Sequence, residues 1–278
     1  MSAWTDSIIL KSEDEIAHMR VAGRIVGGCL DLASKLLKPG VTTGQVDRQV
    51  EEYIRSEGAI PSFKGYMDYP ATACISVNEE VVHGIPGDRT VQDGDIVGFD
   101  IGAIWEGYHG DAARTFAVGE VSEEARKLMQ VTRESLQRGL DQVKDGNRIG
   151  DIGHAIQEHA EKYGFGVVKS LVGHGIGQSL HEKPQVPNYG KAGKGIRLRT
   201  GMVLAIEPML NAGSAEVYTK RDQWTIVTVD GKLSAHFEQT IAITEQGPEV
   251  LTGHLHSGFA DAAETVETPT AGDGGPLG

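Results

Sequence analysis

Two aspartates, two glutamates and one histidine occupy places where apolar or glycine-rich neighbours indicate burial. Asp100 stands in the segment GFDIGA, and Asp111 follows in YHGDAART. Glu207 interrupts the apolar run MVLAIEPML, Glu238 stands in HFEQTIAI, and His174 lies between two glycines in VGHGIG. An unpaired charge is unstable in an apolar interior, so each carboxylate requires a partner. We therefore expect these side chains to meet in one polar site.

The chemistry that this set of side chains favours is metal-assisted hydrolysis. Four carboxylates and one imidazole suit a pair of hard or borderline divalent ions that share carboxylate ligands. Two ions about 3.5–4 Å apart hold a hydroxide near neutral pH and polarise a carbonyl or phosphoryl oxygen. The 2 cysteines of the chain are too few for a structural zinc site. The residues predict a dinuclear metal hydrolase, and both a peptidase and a phosphoesterase fit that prediction.

Four more histidines stand near these candidates in the sequence. His83 occurs in the turn sequence VVHGIPGD and His181 in SLHEKPQVP, and both are candidates for a chemical role. His109 and His236 adjoin candidate ligands, and we expect neither to be a ligand itself.

Helices and strands that could position these residues alternate along the chain. Apolar residues at helical spacing predict helices over 12–37, 43–57, 122–143 and 149–163, the first capped by Ser12 and stopped by Pro39-Gly40. Short strands are predicted within 72–118 and at 167–172, 202–207, 224–229 and 237–243. A hairpin between Asp100 and Asp111 would bring both carboxylates to one cavity.

An internal repeat relates the two halves of this pattern. A shift of the sequence by 107 residues pairs GDIVGFD (94–100) with GMVLAIE (201–207), and each segment ends in a candidate ligand. The helices match weakly at similar offsets. We expect an α/β (α+β) domain of two related halves whose carboxylates face each other near a pseudo-twofold axis.

Composition limits the kinds of partner that this chain binds. Its formal net charge of −13 disfavours nucleic acid and anionic membranes, and no apolar run is long enough to span a bilayer. Few cysteines and a first segment without a secretory pattern fit a cytoplasmic protein. We predict one catalytic domain over 1–252 and a flexible acidic tail over 253–278.

Four short motifs give these residues a family resemblance. With the candidate ligands, HGIP at 83–86, GHGIG at 173–177, HEKPQV at 181–186 and IEPML at 206–210 resemble the methionine aminopeptidases of metallopeptidase family M24. The similarity runs from about residue 8 to 252 and lacks the large insert of the type II enzymes, as in the short bacterial type I form. It implies the pita-bread fold, with two pseudo-symmetric halves, a central antiparallel β-sheet and outer helices.

The resemblance also implies a role for each candidate ligand. Asp111, His174, Glu207 and Glu238 would hold one metal ion, and Asp100, Asp111 and Glu238 would hold the other. A hydroxide bridging the ions would attack the carbonyl of an N-terminal methionine, with Glu207 transferring the proton. The two ions would be cobalt, manganese, iron or zinc.

Substrate contacts are implied in the same way. His181 would contact the scissile amide, and His83 would stabilise the transition state or help protonate the amine. An apolar pocket for methionine would comprise Phe63, Tyr66, Tyr69, Cys74, Leu180 and Trp224. Many family members carry Phe where Leu180 stands, and some carry Cys where Phe63 stands, so the shape of the pocket and its tolerance at the second residue are open.

The resemblance further implies a monovalent cation near Asn78 and Ser234. It implies as substrate the N-terminal methionine of nascent polypeptides followed by a small residue, transient contact with the ribosome, no specific nucleic acid, and a monomer. Three alternatives stay open: a related enzyme acting on Xaa-Pro bonds or creatine, a binding module that lost its metals, and a dinuclear phosphoesterase.

Overall fold

Four helices flank the sheets in the computed structural model, which describes residues 7–253. Ser12 and Thr42 cap the first two helices, each in a reciprocal capping box with the residue three positions later. Ser122 caps the third helix by accepting a hydrogen bond from the backbone of Ala125. The helices are α1 (Glu13–Leu36), α2 (Thr43–Ser56), α3 (Glu123–Leu140) and α4 (Ile149–Lys162).

The first large sheet belongs to the first half of the described chain. Its centre is the long hairpin of β4 (Ile96–Trp105) and β5 (Tyr108–Ala117), and β4 also pairs with β1 (Ile60–Pro61) and β2 (Ala73–Val77). α1 and α2 cover it, and their apolar residues form one core with strands β2, β4 and β5. Between β1 and β2, Tyr66–Asp68 form a single 3₁₀ turn.

The second large sheet lies in the other half and contains five strands. Their spatial order is β15 (Gly247–Val250), β14 (Gln239–Thr244), β9 (Val203–Ile206), β7 (Gly173–Gly175) and β8 (Glu182–Val186). All neighbours are antiparallel. Residues of α3 and α4 pack on this side in a second core.

Two three-stranded antiparallel sheets complete residues 7–253. One has the order β13 (Ser234–His236), β10 (Met209–Asn211) and β6 (Gly166–Val167). The other has the order β11 (Val217–Thr219), β12 (Ile226–Thr228) and β3 (Glu80–Val82).

The contact between β5 and the start of β14 joins the two halves. The backbone N–H of Glu238 donates to the carbonyl of Ala113, at 2.9 Å. The hydroxyl of Thr240 donates to the carbonyl of Asp111 and accepts from its N–H. This joint places the acidic residues of one half against those of the other.

The predicted helices and antiparallel strands are confirmed, with differences at particular strands. The predicted strand at 167–172 is wrong beyond Val167, because Lys169 and Ser170 are exposed and lie outside any ladder. Several two- to four-residue strands were not predicted. The proposed tail from 254 onward lies outside the described residues, and none of the described helices has the length and apolarity to cross a membrane.

Candidate metal centre

The β4–β5 hairpin carries the two aspartates on one face. Asp100 lies opposite Ala113, and Asp111 lies opposite Gly102, so the two carboxylates are diagonal neighbours. Asp111 is 4% exposed. Burial raises the pKa of Asp100 to about 7, while burial and the charges of Glu238 and Asp100 hold the pKa of Asp111 well above its usual value. The predicted hairpin is confirmed.

The two glutamates come from adjacent strand ends of the second large sheet. Glu207 directly follows β9 and Glu238 directly precedes β14, and these strands are in register through Ile206 and Gln239. The side-chain amide of Asn188 donates to the carbonyl of Glu207, at 3.0 Å, and so fixes its backbone. The sheet register therefore aims both carboxylates toward the β4–β5 hairpin.

His174 adds an imidazole from the neighbouring strand β7. Its Nδ1 lies 2.9 Å from the carbonyl of Gly175, a contact that assigns the ring proton to Nδ1 and the lone pair to Nε2. Nε2 lies 3.6 Å from Oε1 of Glu207. Burial, followed by the nearby His181, lowers the pKa of His174 to about 3, so the ring is neutral at pH 7 and suited to bind a metal ion.

The structure brings all five candidates together, and three of them form a compact group. One ligand atom from each of Asp111, His174 and Glu238 lies within 4.8 Å of the other two. Oxygen atoms of Asp100, Asp111 and Glu238 are buried and have no hydrogen-bond partner among residues 7–253. Since buried polar atoms are nearly always paired, these oxygens fit a site for divalent cations.

A cavity of about 200 Å³ opens onto these groups. Aromatic and apolar side chains form one side of it, and the acidic groups and histidines form the other. Its lining comprises Phe63, Tyr66, Met67, Tyr69, Cys74, His83, Asp100, Asp111, His174, Leu180, His181, Glu207, Trp224 and Glu238. Each residue predicted for the methionine pocket therefore lines the cavity.

Polar contacts hold the rim residues of this cavity in place. The Tyr66 hydroxyl and Nδ1 of His181 are 2.7 Å apart, and the Tyr69 hydroxyl donates to the carbonyls of Ala73 and Gly84. Burial lowers the pKa of His181 to about 4. The same effect lowers the pKa of His83, again to about 4, so both rings are neutral near pH 7 and able to donate one hydrogen bond.

Two lining or adjacent residues were missed from the sequence. Nε2 of His236 lies 4.0 Å from Glu207 and 3.9 Å from Glu238. The sequence predicted no role for this histidine. Its position two residues before Glu238 was the available signal, because residues two apart in extended chain point to the same side. Met67 is 62% exposed at the rim, and no pattern in the sequence marked it.

The predicted cation residues are neighbours outside this cavity. The backbone N–H of Ser234 donates to the carbonyl of Asn78, at 2.9 Å. The Asn78 side chain donates to Asp95 and accepts from the backbone of Ile96. These contacts bring the two residues together, and the bound cation stays a prediction.

Comparison with known proteins identifies relatives over most of the chain. The model of metallopeptidase family M24 matches residues 17–245. A methionine aminopeptidase of Clostridium acetobutylicum is 55% identical over 246 residues, which is 88% of this chain and 98% of that protein. Methionine aminopeptidase 1 of Bacillus subtilis is 55% identical over 245 residues, covering 88% of this chain and 99% of that protein.

Solved structures agree in fold. The methionine aminopeptidase of Thermotoga maritima superimposes with a TM-score of 0.88 at 48% identity, over 89% of this chain and 100% of that one. The prolidase of Pyrococcus furiosus gives a TM-score of 0.73 at 26% identity, over 88% of this chain but 66% of that one. The pita-bread fold predicted from the sequence is confirmed.

Proposed function

Since the chain belongs to metallopeptidase family M24, among its methionine aminopeptidases, we propose that it removes the N-terminal methionine from polypeptides whose second residue is small. The chain is accordingly a metallo-exopeptidase. The observation that carries the proposal is the joining of an acidic cluster to an aromatic pocket within one cavity of about 200 Å³.

The pocket suits a methionine side chain in size and chemistry. Tyr69 and Trp224 meet edge to face, with ring centroids 5.0 Å apart, and Cys74 and Leu180 are buried beside them. Aromatic edges and a thiol attract a polarizable thioether. A charged or long polar side chain would lose its hydration in this pocket, because the aromatic and apolar side of the cavity offers it no charged partner.

The residues present fit two divalent ions with shared ligands. Asp111, His174, Glu207 and Glu238 would hold one, and Asp100, Asp111 and Glu238 the other. When bound, such ions would supply an activated water and polarise the scissile carbonyl. Bound cations would neutralise the carboxylates, which otherwise repel one another in this cluster.

Other groups of the cavity would handle the peptide and its protons. Glu207, whose carboxylate is 16% exposed, would take a proton from the attacking water and pass it to the leaving amine. His181 would donate to the scissile amide, because its Nδ1 contact with Tyr66 orients the ring. His83, at a ring-centroid distance of 6.3 Å from Trp224, would stabilise the transition state beside the pocket.

Release of free methionine from the peptide Met-Ala-Ser tests this proposal. The protein is stripped of metal, and Co(II), Mn(II), Fe(II) or Zn(II) is then added back singly while methionine is quantified. We expect metal-dependent release, and none from the N-acetylated peptide because a free amine is required. A folded protein that releases no methionine with any of these ions would refute the proposal.

The setting of the reaction follows from the substrate. We infer action on nascent polypeptides in the cytoplasm, with transient contact to the ribosome, by a monomeric enzyme. Relatives named methionine aminopeptidase support the substrate at the level of its class. Release of phosphate, or cleavage of an Xaa-Pro dipeptide in preference to Met-Ala-Ser, would favour the alternative functions.

A further inference from the structure

The turn between β7 and β8 delivers two residues to the cavity. Leu180 and His181 both line it, and both lie in the short segment Ser179–Glu182. A hydrogen bond joins the two ends of this segment, since the backbone N–H of Ser179 donates to Oε1 of Glu182, at 3.2 Å. The side chain of Glu182 therefore bridges the two ends of the turn that presents His181.

Glu182 forms a buried ion pair with Lys11, a residue that is distant in the sequence. Nζ of Lys11 lies 2.5 Å from Oε2 of Glu182, and the two side chains are 3% and 1% exposed. Lys11 precedes α1, and its own backbone N–H donates to the carbonyl of Gly201, at 2.7 Å. Its Nζ also donates to the carbonyl of Ile9. One carboxylate thus accepts from the turn and from a lysine anchored to a different segment.

The surrounding backbone is shaped to leave room for this pair. A Cβ at Gly177 would lie 2.5 Å from Cε of Lys11 and 2.6 Å from Oε1 of Glu182, so a larger residue would displace the pair. The carbonyl of Gly177 accepts from the backbone N–H of His109, and the side chain of Gln178 donates to the Tyr108 hydroxyl. The turn is therefore held against β5 on one side and against Lys11 on the other.

We propose that Lys11 is a positioning residue, which acts through its ion pair with Glu182 to hold His181 in the geometry that the substrate requires. This inference rests on the proposed aminopeptidase function. Neither Lys11 nor Glu182 lines the cavity. The lysine therefore affects the reaction through the backbone of the turn, while the four candidate carboxylates lie on, or directly beside, the strands β4, β5, β9 and β14.

A double-mutant cycle between Lys11→Met and His181→Ala tests the route of the effect. We expect Lys11→Met to lower kcat/KM for Met-Ala-Ser about tenfold, since a misplacement of about 1 Å reduces turnover strongly. In the His181→Ala background, the same change is expected to cost less than about twofold, because the residue that it positions is gone. The number of metal ions bound per chain should stay unchanged.

One further variant provides a second test, and another serves as a control. Lys11→Met/Glu182→Gln removes both charges, so it avoids an unpaired buried carboxylate and provides a second test if the single variant fails to fold. This double variant should also lower kcat/KM several-fold. When it is combined with His181→Ala, it should lower kcat/KM little further. Arg20→Met/Glu249→Gln removes a half-exposed ion pair between α1 and β15 that does not touch the turn, and should leave kcat/KM unchanged.

The outcomes separate this inference from the proposed function. Normal kcat/KM in both Lys11 variants, or losses that simply multiply with that of His181→Ala, would overturn the positioning role while the aminopeptidase assignment stands. A wild-type protein that releases no methionine with any divalent ion would overturn both. Loss of bound metal in the Lys11 variants would show that the pair supports the metal site and would also overturn the inference.

Discussion

Asp100, Asp111, Glu207 and Glu238 share one buried site, and each raises the pKa of at least one of the others. Burial is the larger cause at every one of the four. Such a cluster is unfavourable for folding unless cations neutralise it, since desolvation and repulsion both oppose ionisation. This instability of the metal-free cluster supports the proposed role of these carboxylates as cation ligands.

Glu207→Gln tests the proton-transfer role at the scale of one residue. The amide keeps the size of the side chain but does not accept a proton, so we expect kcat to fall by about 10²–10⁴-fold. The change should leave the fold intact, which circular dichroism would check. Glu245→Gln, at an exposed position, is the matched control and should leave kcat unchanged. Near-wild-type turnover of the Glu207 variant would contradict the assignment.

The pH dependence of stability provides a second residue-scale prediction. A carboxyl group with a raised pKa makes the folded chain bind more protons than the unfolded chain. Its destabilising effect on the folded chain is smallest below about pH 4. The free energy of unfolding therefore falls as pH rises through the folded pKa. The histidines of the site have lowered pKa values and act in the opposite direction, but above about pH 7.5 they are neutral in both states.

Above about pH 7.5, we therefore expect the Tm of metal-free protein to fall with rising pH as these carboxyl groups ionise. Asp100, with a pKa of about 7, completes its ionisation just above this pH, and burial and mutual repulsion hold the pKa values of the three other carboxyl groups well above their usual values. Scanning calorimetry with and without Mn(II) measures this. The metal-loaded protein should show a smaller slope, and equal slopes would contradict cation binding by these carboxylates.

At the scale of elements, α1 lies unusually close to β5 where both carry glycine. A Cβ at Gly110 would lie 2.8 Å from the backbone nitrogen of Gly23, so any side chain there would push the helix away from the strand that carries Asp111. This contact sets the distance between a helix and the central hairpin. The glycines are required by packing, since neither has a left-handed backbone conformation.

Gly110→Ala is accordingly expected to reduce the free energy of unfolding by about 1–3 kcal/mol, the usual effect of overpacking. Gly98→Ala, on the neighbouring strand β4, is the matched control, because its Cβ would meet no atom closer than 3.6 Å. Urea denaturation followed by fluorescence gives both values. Equal stability of the two variants would show that α1 shifts without strain.

At the scale of the whole molecule, the last described residues connect to the metal site. Leu251 and Thr252 are buried, and the Thr252 hydroxyl accepts from the backbone of Thr240 and donates to Gln239. The Thr240 hydroxyl in turn donates to the carbonyl of Asp111. The segment up to Thr252 is therefore part of the folded unit that supports the site.

Two truncations locate the end of the catalytic unit. A chain that ends at Gly253 should retain full kcat/KM, because it keeps the buried Leu251 and Thr252 that support the site. A chain that ends at Val250 should lose stability and activity, since it lacks the apolar Leu251 side chain and the Thr252 hydroxyl. Activity and Tm of both chains would check this. Full activity of the shorter chain would contradict the linkage.

Much of this architecture was predictable because it depends on local order. The spacing of apolar residues and the cap at Ser12 predict the helices to within a few residues, since these signals act over one or two turns. Asp100 and Glu207 stand out for a similar reason: a carboxylate within an apolar strand is visible in a few neighbouring letters. The short motifs then identify the family.

Other features were settled by contacts between distant segments. Strands of two to four residues, such as β6 and β10, exist because partners elsewhere in the chain complete their hydrogen bonds. The approach of His236 to Glu207, and the pairing of Lys11 with Glu182, depend on how the sheets and the N-terminal segment pack. Local runs of residues therefore specify which chemical groups are available and which helices and strands carry them. Which of these groups meet is specified by the folded chain, because contacts between distant side chains depend on packing that no short stretch of residues encodes.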